Sequence, residues 1–125
     1  MVADGAAEIA CTASELGFRR VIGNPGTTEL PLVRAFRDHG IEYVLALHEN
    51  AATGIAFGMG WVSGEAALVL LHATPGLAHG LGNIYNAMRS RVPMVVLAGQ
   101  QDSRFLLKQP PLSSRLTEIA APVTK

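Results

Sequence analysis

The sequence predicts an α/β protein with a doubly wound parallel sheet and helices on both faces. Short apolar segments alternate with longer helical patterns, which is the order that a parallel sheet with helical crossovers requires. The segment at 66–71 is continuously apolar, as expected of a strand that is buried on both faces. With 125 residues, the chain is long enough for one such domain and too short for two.

Five helices and four strands are predicted in alternation. In chain order they are a helix at 3–16, a strand at 20–23, a helix at 27–36, a strand at 41–47, a helix at 49–62, a strand at 66–71, a helix at 76–89, a strand at 92–98 and a short helix at 113–120. Apolar residues at helical spacing define the helices, and Gly17 and Gly40 end the first two. Pro93 introduces the fourth strand, and Gln109-Pro110-Pro111 interrupts the pattern after it.

The composition indicates that part of the apolar surface faces another domain or subunit. Hydrophobic residues make up 49% of the sequence and charged residues only 16%, a core-rich balance for so short a chain. The helix at 49–62 is rich in Gly and Ala, which lowers helix propensity but lets a backbone approach a neighbour closely. We therefore expect a homo-oligomer.

Charge and cysteine content exclude several classes of protein. Ten basic and ten acidic residues give no net charge, and no basic run offers the phosphate-neutralising patch that binds nucleic acid. The apolar runs are shorter than the roughly 20 residues that span a bilayer, so no membrane partner is expected. The N-terminus lacks a basic region followed by an apolar stretch, which predicts a cytoplasmic location. The single cysteine, Cys11, excludes an internal disulfide and is predicted to fill the core.

Three turns with chemically active side chains follow three of the predicted strands. They are the segments at 23–31, 48–49 and 71–76. The carboxyl ends of parallel strands lie at one edge of a sheet, and ligands of open α/β sheets bind in the crevice outside that edge. The three turns are therefore expected to meet at one pocket.

Glu49 is the first candidate for a catalytic residue. A carboxylate at a strand-to-helix junction is partly desolvated, which predicts a raised pKa for Glu49 and a group poised for proton transfer. The alternative is a structural role, because an acid in the first turn of a helix complements the free backbone N–H groups there.

Five motifs, in the order in which they occur, resemble a known family. They are Gly-Asn-Pro-Gly-Thr-Thr-Glu-Leu-Pro at 23–31, His-Glu at 48–49 followed by Ala52, Ala56 and Gly58, Leu-His-Ala-Thr-Pro-Gly at 71–76, Asn-Ala at 86–87 and Ala-Gly-Gln-Gln at 98–101. The ordered set resembles the N-terminal, pyrimidine-binding domain of thiamine diphosphate enzymes, especially benzoylformate decarboxylase and its relatives. The resemblance implies that residues 1–125 form this domain, and the abrupt end of the pattern predicts that it is cut short at the C-terminus.

The resemblance implies that thiamine diphosphate is the cofactor. In the family, the glutamate of the His-Glu motif hydrogen-bonds N1′ of the aminopyrimidine ring, and here this role falls to Glu49. Pro25, Gly26 and Gly76 match further cofactor-binding positions. The activated cofactor attacks the carbonyl carbon of a 2-oxo acid and takes up the electrons when carbon dioxide leaves. The implied activity is decarboxylation of a small 2-oxo acid, with benzoylformate-like aromatic substrates leading.

Two further catalytic residues are implied by the matched motifs. His72 aligns with a histidine that handles protons on the intermediates; its alternative is a structural histidine at a strand end. Thr27 aligns with a serine that contacts the substrate, and its added methyl group narrows the pocket; its alternative is helix capping. His48 is expected to orient Glu49 or to bond backbone. His79 stands where relatives have asparagine, so it lines the pocket or packs a helix.

The metal site of the family has no counterpart in this sequence. Relatives bind the diphosphate and its Mg²⁺ through a Gly-Asp-Gly motif on a separate domain, and neither that motif nor a suitable carboxylate cluster occurs here. The resemblance therefore implies that the central and diphosphate-binding domains are absent, and that activity needs the diphosphate-binding domain of another chain or subunit.

Three other functions are weighed against this one. An acetolactate-synthase-like carboligase shares the cofactor chemistry, although His72 argues against it. A binding or assembly module without catalysis of its own would equally lack the metal site. A nicotinamide-dependent Rossmann enzyme is disfavoured, because the first strand is followed by Gly-Asn-Pro-Gly rather than Gly-x-Gly-x-x-Gly.

Overall fold

The computed structural model describes residues 4–125, which form nine main helices and strands in alternation. In chain order they are α1 (Gly5–Glu15), β1 (Arg20–Gly23), α2 (Leu30–Asp38), β2 (Glu42–Leu45), α3 (Glu49–Ser63), β3 (Ala67–Leu71), α4 (Ala73–Ser90), β4 (Met94–Ala98) and α5 (Leu116–Ala120). Three short 3₁₀ turns, at Thr27–Glu29, Leu106–Lys108 and Ala121–Val123, complete the described part. The predicted order of elements is confirmed; the predicted start of the first helix at Ala3 lies outside the described residues.

The four strands form one parallel sheet in the order β2-β1-β3-β4. Ile22 of β1 pairs with Val44 on one side and Val69 on the other, and Val69 pairs in turn with Val96 of β4. The chain moves from β1 outward to β2, then crosses back over β1 to β3. The direction of winding therefore reverses between β1 and β3, and such a switch point opens a crevice at the carboxyl ends of the strands.

Helices cover both faces of the sheet, as predicted. On one face, Val69 and Leu71 of β3 pack with Ala52 and Ala56 of α3 and with Ile84 of α4. On the other face, β1 and β3 pack against residues of α1 and α2, which include Ala10 and Phe36. All five residues of β3 are buried, because this strand lies inside the sheet with helices above and below it.

Several predicted boundaries are shifted by local chemistry. Helix α4 begins at Ala73 rather than at residue 76, because Pro75 falls in the first helical turn, where its missing N–H is not needed. Strand β2 ends at Leu45, two residues early, and the chain then turns into α3. The last helix begins at Leu116 rather than at residue 113. Cys11 was predicted to fill the core and is partly exposed instead, where its thiol contacts the Glu15 carboxylate at 3.7 Å.

No helix within residues 4–125 combines the length and the apolar character needed to cross a membrane.

Candidate active site

The three predicted turns do meet at the carboxyl edge of the sheet. Asn24, in the turn after β1, donates a hydrogen bond from Nδ2 to Oε1 of Glu49 at 3.3 Å. The same turn continues to Gly26, which packs against the imidazole of His72 at the end of β3. The turn after β1, which carries Thr27, therefore contacts the two other predicted catalytic side chains, Glu49 and His72, and all three residues lie beside the switch point.

Glu49 is the first residue of α3 and is almost completely buried, with 7% of its surface exposed. The N-cap position of α3 is taken by His48, whose Nδ1 accepts a hydrogen bond from the Asn50 N–H at 3.1 Å. His48 thus takes the N-cap position, while Glu49, in the first turn, accepts a hydrogen bond from its own backbone N–H, so the helix-terminus role offered as its alternative is partly present as well. The Glu49 carboxylate is left facing the crevice, where Nδ1 of His79 lies 3.3 Å from Oε2.

The predicted rise in the pKa of Glu49 is wrong in direction. Burial does raise the pKa, and it is the largest single effect. Hydrogen bonds to the carboxylate from its own backbone N–H, from His79 and from Asn24 act the other way, as does the charge of His79, and together they hold the pKa of Glu49 below its ordinary value. The sequence-based prediction included the effect of desolvation on the pKa of Glu49. It could not include the hydrogen bonds from Asn24 and His79, because these residues are distant from Glu49 in the chain.

Glu29 and His72 form a second polar pair at this edge. Glu29 is 2% exposed, and its Oε2 lies 2.7 Å from Nδ1 of His72. The Gly26 N–H and the Thr28 hydroxyl donate to the same carboxylate, at 2.8 and 2.6 Å. Sequence reasoning missed this role of Glu29. Its spacing of three residues from Gly26 has the form of a capping box, which predicts the bond to Gly26 but not the contact with His72.

Both predicted cofactor-binding glycines lie against predicted catalytic side chains. A Cβ on Gly26 would overlap the His72 imidazole, and a Cβ on Gly76 would lie 3.2 Å from both Cγ and Oε1 of Glu49. Pro25 precedes Gly26 in the same partly exposed turn. Thr27 is exposed, and the N-cap of the turn that it begins is Gly26, so the capping role offered as its alternative does not apply.

The backbone between β3 and α4 is strained next to His72. Ala73 has φ 47°, a left-handed conformation that residues with a Cβ rarely adopt. Such conformations cost on the order of 1–3 kcal/mol and are found most often at functional sites. The strained residue directly follows His72, in the turn through which the chain passes from β3 into α4.

One group of possible metal ligands is brought together within the part of the chain that the structure describes. It consists of His48, Glu49 and His79, whose donor atoms lie within 4.8 Å of one another. The His48 and His79 rings are stacked, with centroids 4.8 Å apart and an interplanar angle of 28°. Two imidazoles and one carboxylate differ from the oxygen-only, octahedral set that Mg²⁺ prefers.

The site forms an open edge rather than an enclosed cavity. A groove of about 620 Å³ lies between α2 and β2 and is lined by Leu30, Val33, Arg34 and Tyr43 among others. None of the predicted site residues lines this groove, so its size carries no functional weight. The arrangement of buried acids and strained backbone at the switch point is the stronger indication of a site.

Comparison with known proteins identifies the family. Residues 3–117 match the family described as "Thiamine pyrophosphate enzyme, N-terminal TPP binding domain". The chain belongs to this family of thiamine diphosphate enzymes. The recognition made from the motifs is confirmed, and so are the predicted fold class and thiamine diphosphate as the family's cofactor.

The relatives include enzymes of two kinds. Benzoylformate decarboxylase of Pseudomonas aeruginosa is 45% identical over 85 residues, which cover 68% of this chain and 16% of that protein. An acetolactate synthase large subunit of Lactococcus lactis is 34% identical over 115 residues, 91% of this chain and 20% of that protein. The chain therefore spans about a fifth of the length of these relatives.

Solved structures agree with the fold. A thiamine diphosphate-dependent 4-hydroxybenzoylformate decarboxylase of Rhodococcus jostii has a TM-score of 0.89 at 35% identity, and the match covers 98% of this chain and 23% of that one. Benzoylformate decarboxylase of Polynucleobacter necessarius has a TM-score of 0.78 at 32% identity, with coverage of 86% and 20%.

The residues present fit one end of the cofactor. A buried carboxylate whose two oxygens each accept one long side-chain hydrogen bond of 3.3 Å, and which packs against the backbone of Gly76, is suited to share a proton with a ring nitrogen. The diphosphate end has no comparable fit, because the only ligand group found within residues 4–125 is the His48, Glu49 and His79 group. Among residues 4–125, the surroundings of Glu49 are thus the part of the site that fits the cofactor.

Proposed function

We propose that the chain is the pyrimidine-binding part of a thiamine diphosphate-dependent decarboxylase that acts on small 2-oxo acids, with benzoylformate-like aromatic acids as the preferred class. The observation that carries the proposal is the Glu49 carboxylate, buried at the switch point and packed against the backbone of Gly76. A buried acid at that edge suits a proton shared with a bound heterocycle.

Each residue of the site has a defined role in this proposal. Glu49 shares a proton with N1′ of the pyrimidine and so controls the protonation of that ring. His72 exchanges protons with the reacting substrate, and Thr27 contacts it through the exposed hydroxyl. Pro25, Gly26 and Gly76 shape the wall against which the pyrimidine packs. When bound, thiamine diphosphate supplies the carbon nucleophile and the electron sink for loss of carbon dioxide.

The proposed activity requires a partner. A diphosphate-binding domain, carried by another chain or subunit, would hold the diphosphate and its Mg²⁺, since residues 4–125 bring together no all-oxygen ligand group for that ion. Residues 1–125 are accordingly proposed to be the pyrimidine-binding domain of a larger, homo-oligomeric enzyme. The open edge at Glu49 and His72 is the surface that the partner domain would cover.

A carboligase of the acetolactate-synthase type is the second candidate. Relatives of that class match at least as much of the chain as the benzoylformate decarboxylase does. The matches therefore support the cofactor chemistry that both classes share, and they do not distinguish between an aldehyde and acetolactate as the product. His72, held by a buried acid, supports the decarboxylase, because protonation of the substrate carbon ends the reaction as an aldehyde. The strained turn at Ala73 and the buried carboxylates of Glu29 and Glu49 argue against a purely structural module, because both features cost free energy of folding.

The test is carbon dioxide release from benzoylformate by the chain assembled with a diphosphate-binding domain, thiamine diphosphate and Mg²⁺. Glu49→Gln keeps the shape of the side chain and removes the shared proton, so the rate is expected to fall by about 10²- to 10⁴-fold. Glu65→Gln, at an exposed carboxylate beyond the end of α3, is the matched control and should keep the wild-type rate. Equal rates for both variants would refute the role of Glu49, and acetolactate formed from pyruvate instead of an aldehyde would favour the carboligase.

A further inference from the structure

Glu29 is the most completely buried acid among the described residues, and its burial needs a reason. It is 2% exposed, less than Glu49 at 7%. A buried carboxylate is costly unless hydrogen bonds and a partner charge compensate for the lost water. No Lys or Arg within residues 4–125 lies in ion-pair contact with Glu29; its one such partner is the imidazole of His72.

The hydrogen bonds around Glu29 determine which nitrogen of His72 carries a proton. The Gly26 N–H is a donor that cannot be reversed, and it already bonds Oε2 at 2.8 Å. Nδ1 of His72 lies 2.7 Å from the same oxygen. An ionised carboxylate only accepts, so Nδ1 must carry a hydrogen and donate it. In the neutral ring the lone pair is then on Nε2, which has no hydrogen-bond partner in the described chain.

The surrounding backbone is shaped to keep this pair in place. A Cβ on Gly26 would overlap the imidazole of His72, and a Cβ on Gly99, at the end of β4, would overlap Oε1 of Glu29. Three different loops, after β1, β3 and β4, thus close around one carboxylate and one ring. A histidine that only filled space would not require two glycines and a buried acid.

We propose that Glu29 is the positioning residue for His72. Glu29 holds the Nδ1–H form of the ring and fixes its plane, so that Nε2 is the only atom through which His72 can take or give a proton. This proposal deepens the proposed function, on which its catalytic part rests, and it assigns Glu29 no contact with substrate or cofactor. A carboxylate that orients an imidazole in this way acts through the histidine and not on the reacting atoms.

The first test reads the proton position without any activity. Nitrogen NMR of the ¹⁵N-histidine-labelled chain distinguishes the two tautomers, and the His72 signals are assigned by their loss in His72→Gln. Wild type is expected to show the Nδ1–H form. In Glu29→Gln the amide can donate as well as accept, so the Nε2–H form should become populated. A wild-type His72 in the Nε2–H form, or the same tautomer in both proteins, would overturn the proposal.

The second test uses the assembled enzyme and matched variants. Glu29→Gln is expected to lower kcat by on the order of 10- to 100-fold with KM changed little, by analogy with other residues that orient a functional histidine. Thr28→Val removes the hydroxyl that donates to Oε1 of Glu29 and that also lies 3.4 Å from Nδ1 of His72, but it leaves the shorter contact of 2.7 Å between Oε2 and Nδ1, so it should keep the tautomer and lose clearly less activity than Glu29→Gln. Equal decreases in kcat for Glu29→Gln and Thr28→Val would show that the hydrogen bonds around Glu29 have only a structural role.

Gly99→Ala separates positioning from chemistry, because it changes neither side chain of the pair. Its methyl group would displace the Glu29 carboxylate, so it should shift the His72 tautomer and lower kcat in the direction of Glu29→Gln. An unshifted tautomer in a folded Gly99→Ala chain would contradict the proposal. If the NMR results hold and the wild-type assembly decarboxylates no 2-oxo acid, the proposed function fails while the positioning of His72 by Glu29 stands.

Discussion

At the scale of single residues, the two buried acids of the site are held in different ways. Glu29 accepts short hydrogen bonds of 2.6 to 2.8 Å from three partners, which hold the carboxylate in place. Glu49 accepts side-chain bonds of 3.3 Å from Asn24 and His79, which leaves it free to bond a ligand. The difference is in keeping with the positioning role proposed for Glu29 and the proton sharing proposed for Glu49.

The lowered pKa of Glu49 predicts a dependence of stability on pH. Burial opposes the shift, but the hydrogen bonds and the charge of His79 prevail, so the folded state favours the ionised carboxylate. This stabilisation is fully present above the ordinary value of 4.5 and is lost as the pH falls through the lower, folded-state value. Glu49→Gln should therefore be less stable than wild type near neutral pH, and the difference should shrink below about pH 4.

Urea unfolding of both proteins, followed by circular dichroism at several pH values, checks this prediction. Glu65→Gln serves as the control, because that carboxylate is exposed and its loss should change the free energy of unfolding by less than about 0.5 kcal/mol. A stability difference for Glu49→Gln that grows as the pH falls would mean that burial outweighs the hydrogen bonds.

At the scale of elements, two glycines of α3, Gly58 and Gly60, lie in different surroundings. Gly60 is buried, and a Cβ there would lie 2.7 Å from Cγ1 of Val92 and 3.2 Å from the Pro93 carbonyl oxygen. Gly58 is exposed, and a Cβ there would meet nothing within 4 Å. The predicted close packing of this helix is therefore found at Gly60, where α3 contacts another part of the same chain. No atom of the described chain lies close to the position of a Cβ on Gly58.

The pair Gly58→Ala and Gly60→Ala tests this reading of α3 in the isolated chain. Gly58→Ala should raise the free energy of unfolding by about 0.4–1 kcal/mol, because alanine loses less conformational freedom in a helix. Gly60→Ala should lower it by about 1–3 kcal/mol, because the methyl group overpacks the contact with Val92. Urea denaturation measures both, and a similar change in the two variants would contradict the different environments of the glycines.

At the scale of the whole molecule, the outer face of α3 is unusually apolar. Ile55, Met59 and Val62 are exposed at helical spacing, and 87% of the Val62 surface is accessible. Leu45 and Leu47 at the end of β2 add to the exposed apolar surface. A stripe of this kind is typical of a surface that another chain or domain covers, in keeping with the proposed oligomer.

Val62→Lys should weaken association of the assembled protein, because it places a charge on this stripe. The dissociation constant is expected to rise about tenfold or more, as measured by sedimentation velocity over a range of concentrations. Leu107→Lys is the matched control, since Leu107 is equally exposed but lies in the loop after β4. Equal effects of the two substitutions, or none from Val62→Lys, would place the interface elsewhere.

The sequence by itself determined the fold class, the order of the elements, the family and three turns that carry the site. Periodicity and ordered motifs are local signals, and Glu49, His72 and Gly26 stand within such motifs. The direction of the Glu49 pKa shift and the pairing of Glu29 with His72 were decided only by the tertiary structure. Their donors and acceptors are 25 to 43 residues apart in the chain, and only the crossing of β2 to β3 over β1 brings them to one edge.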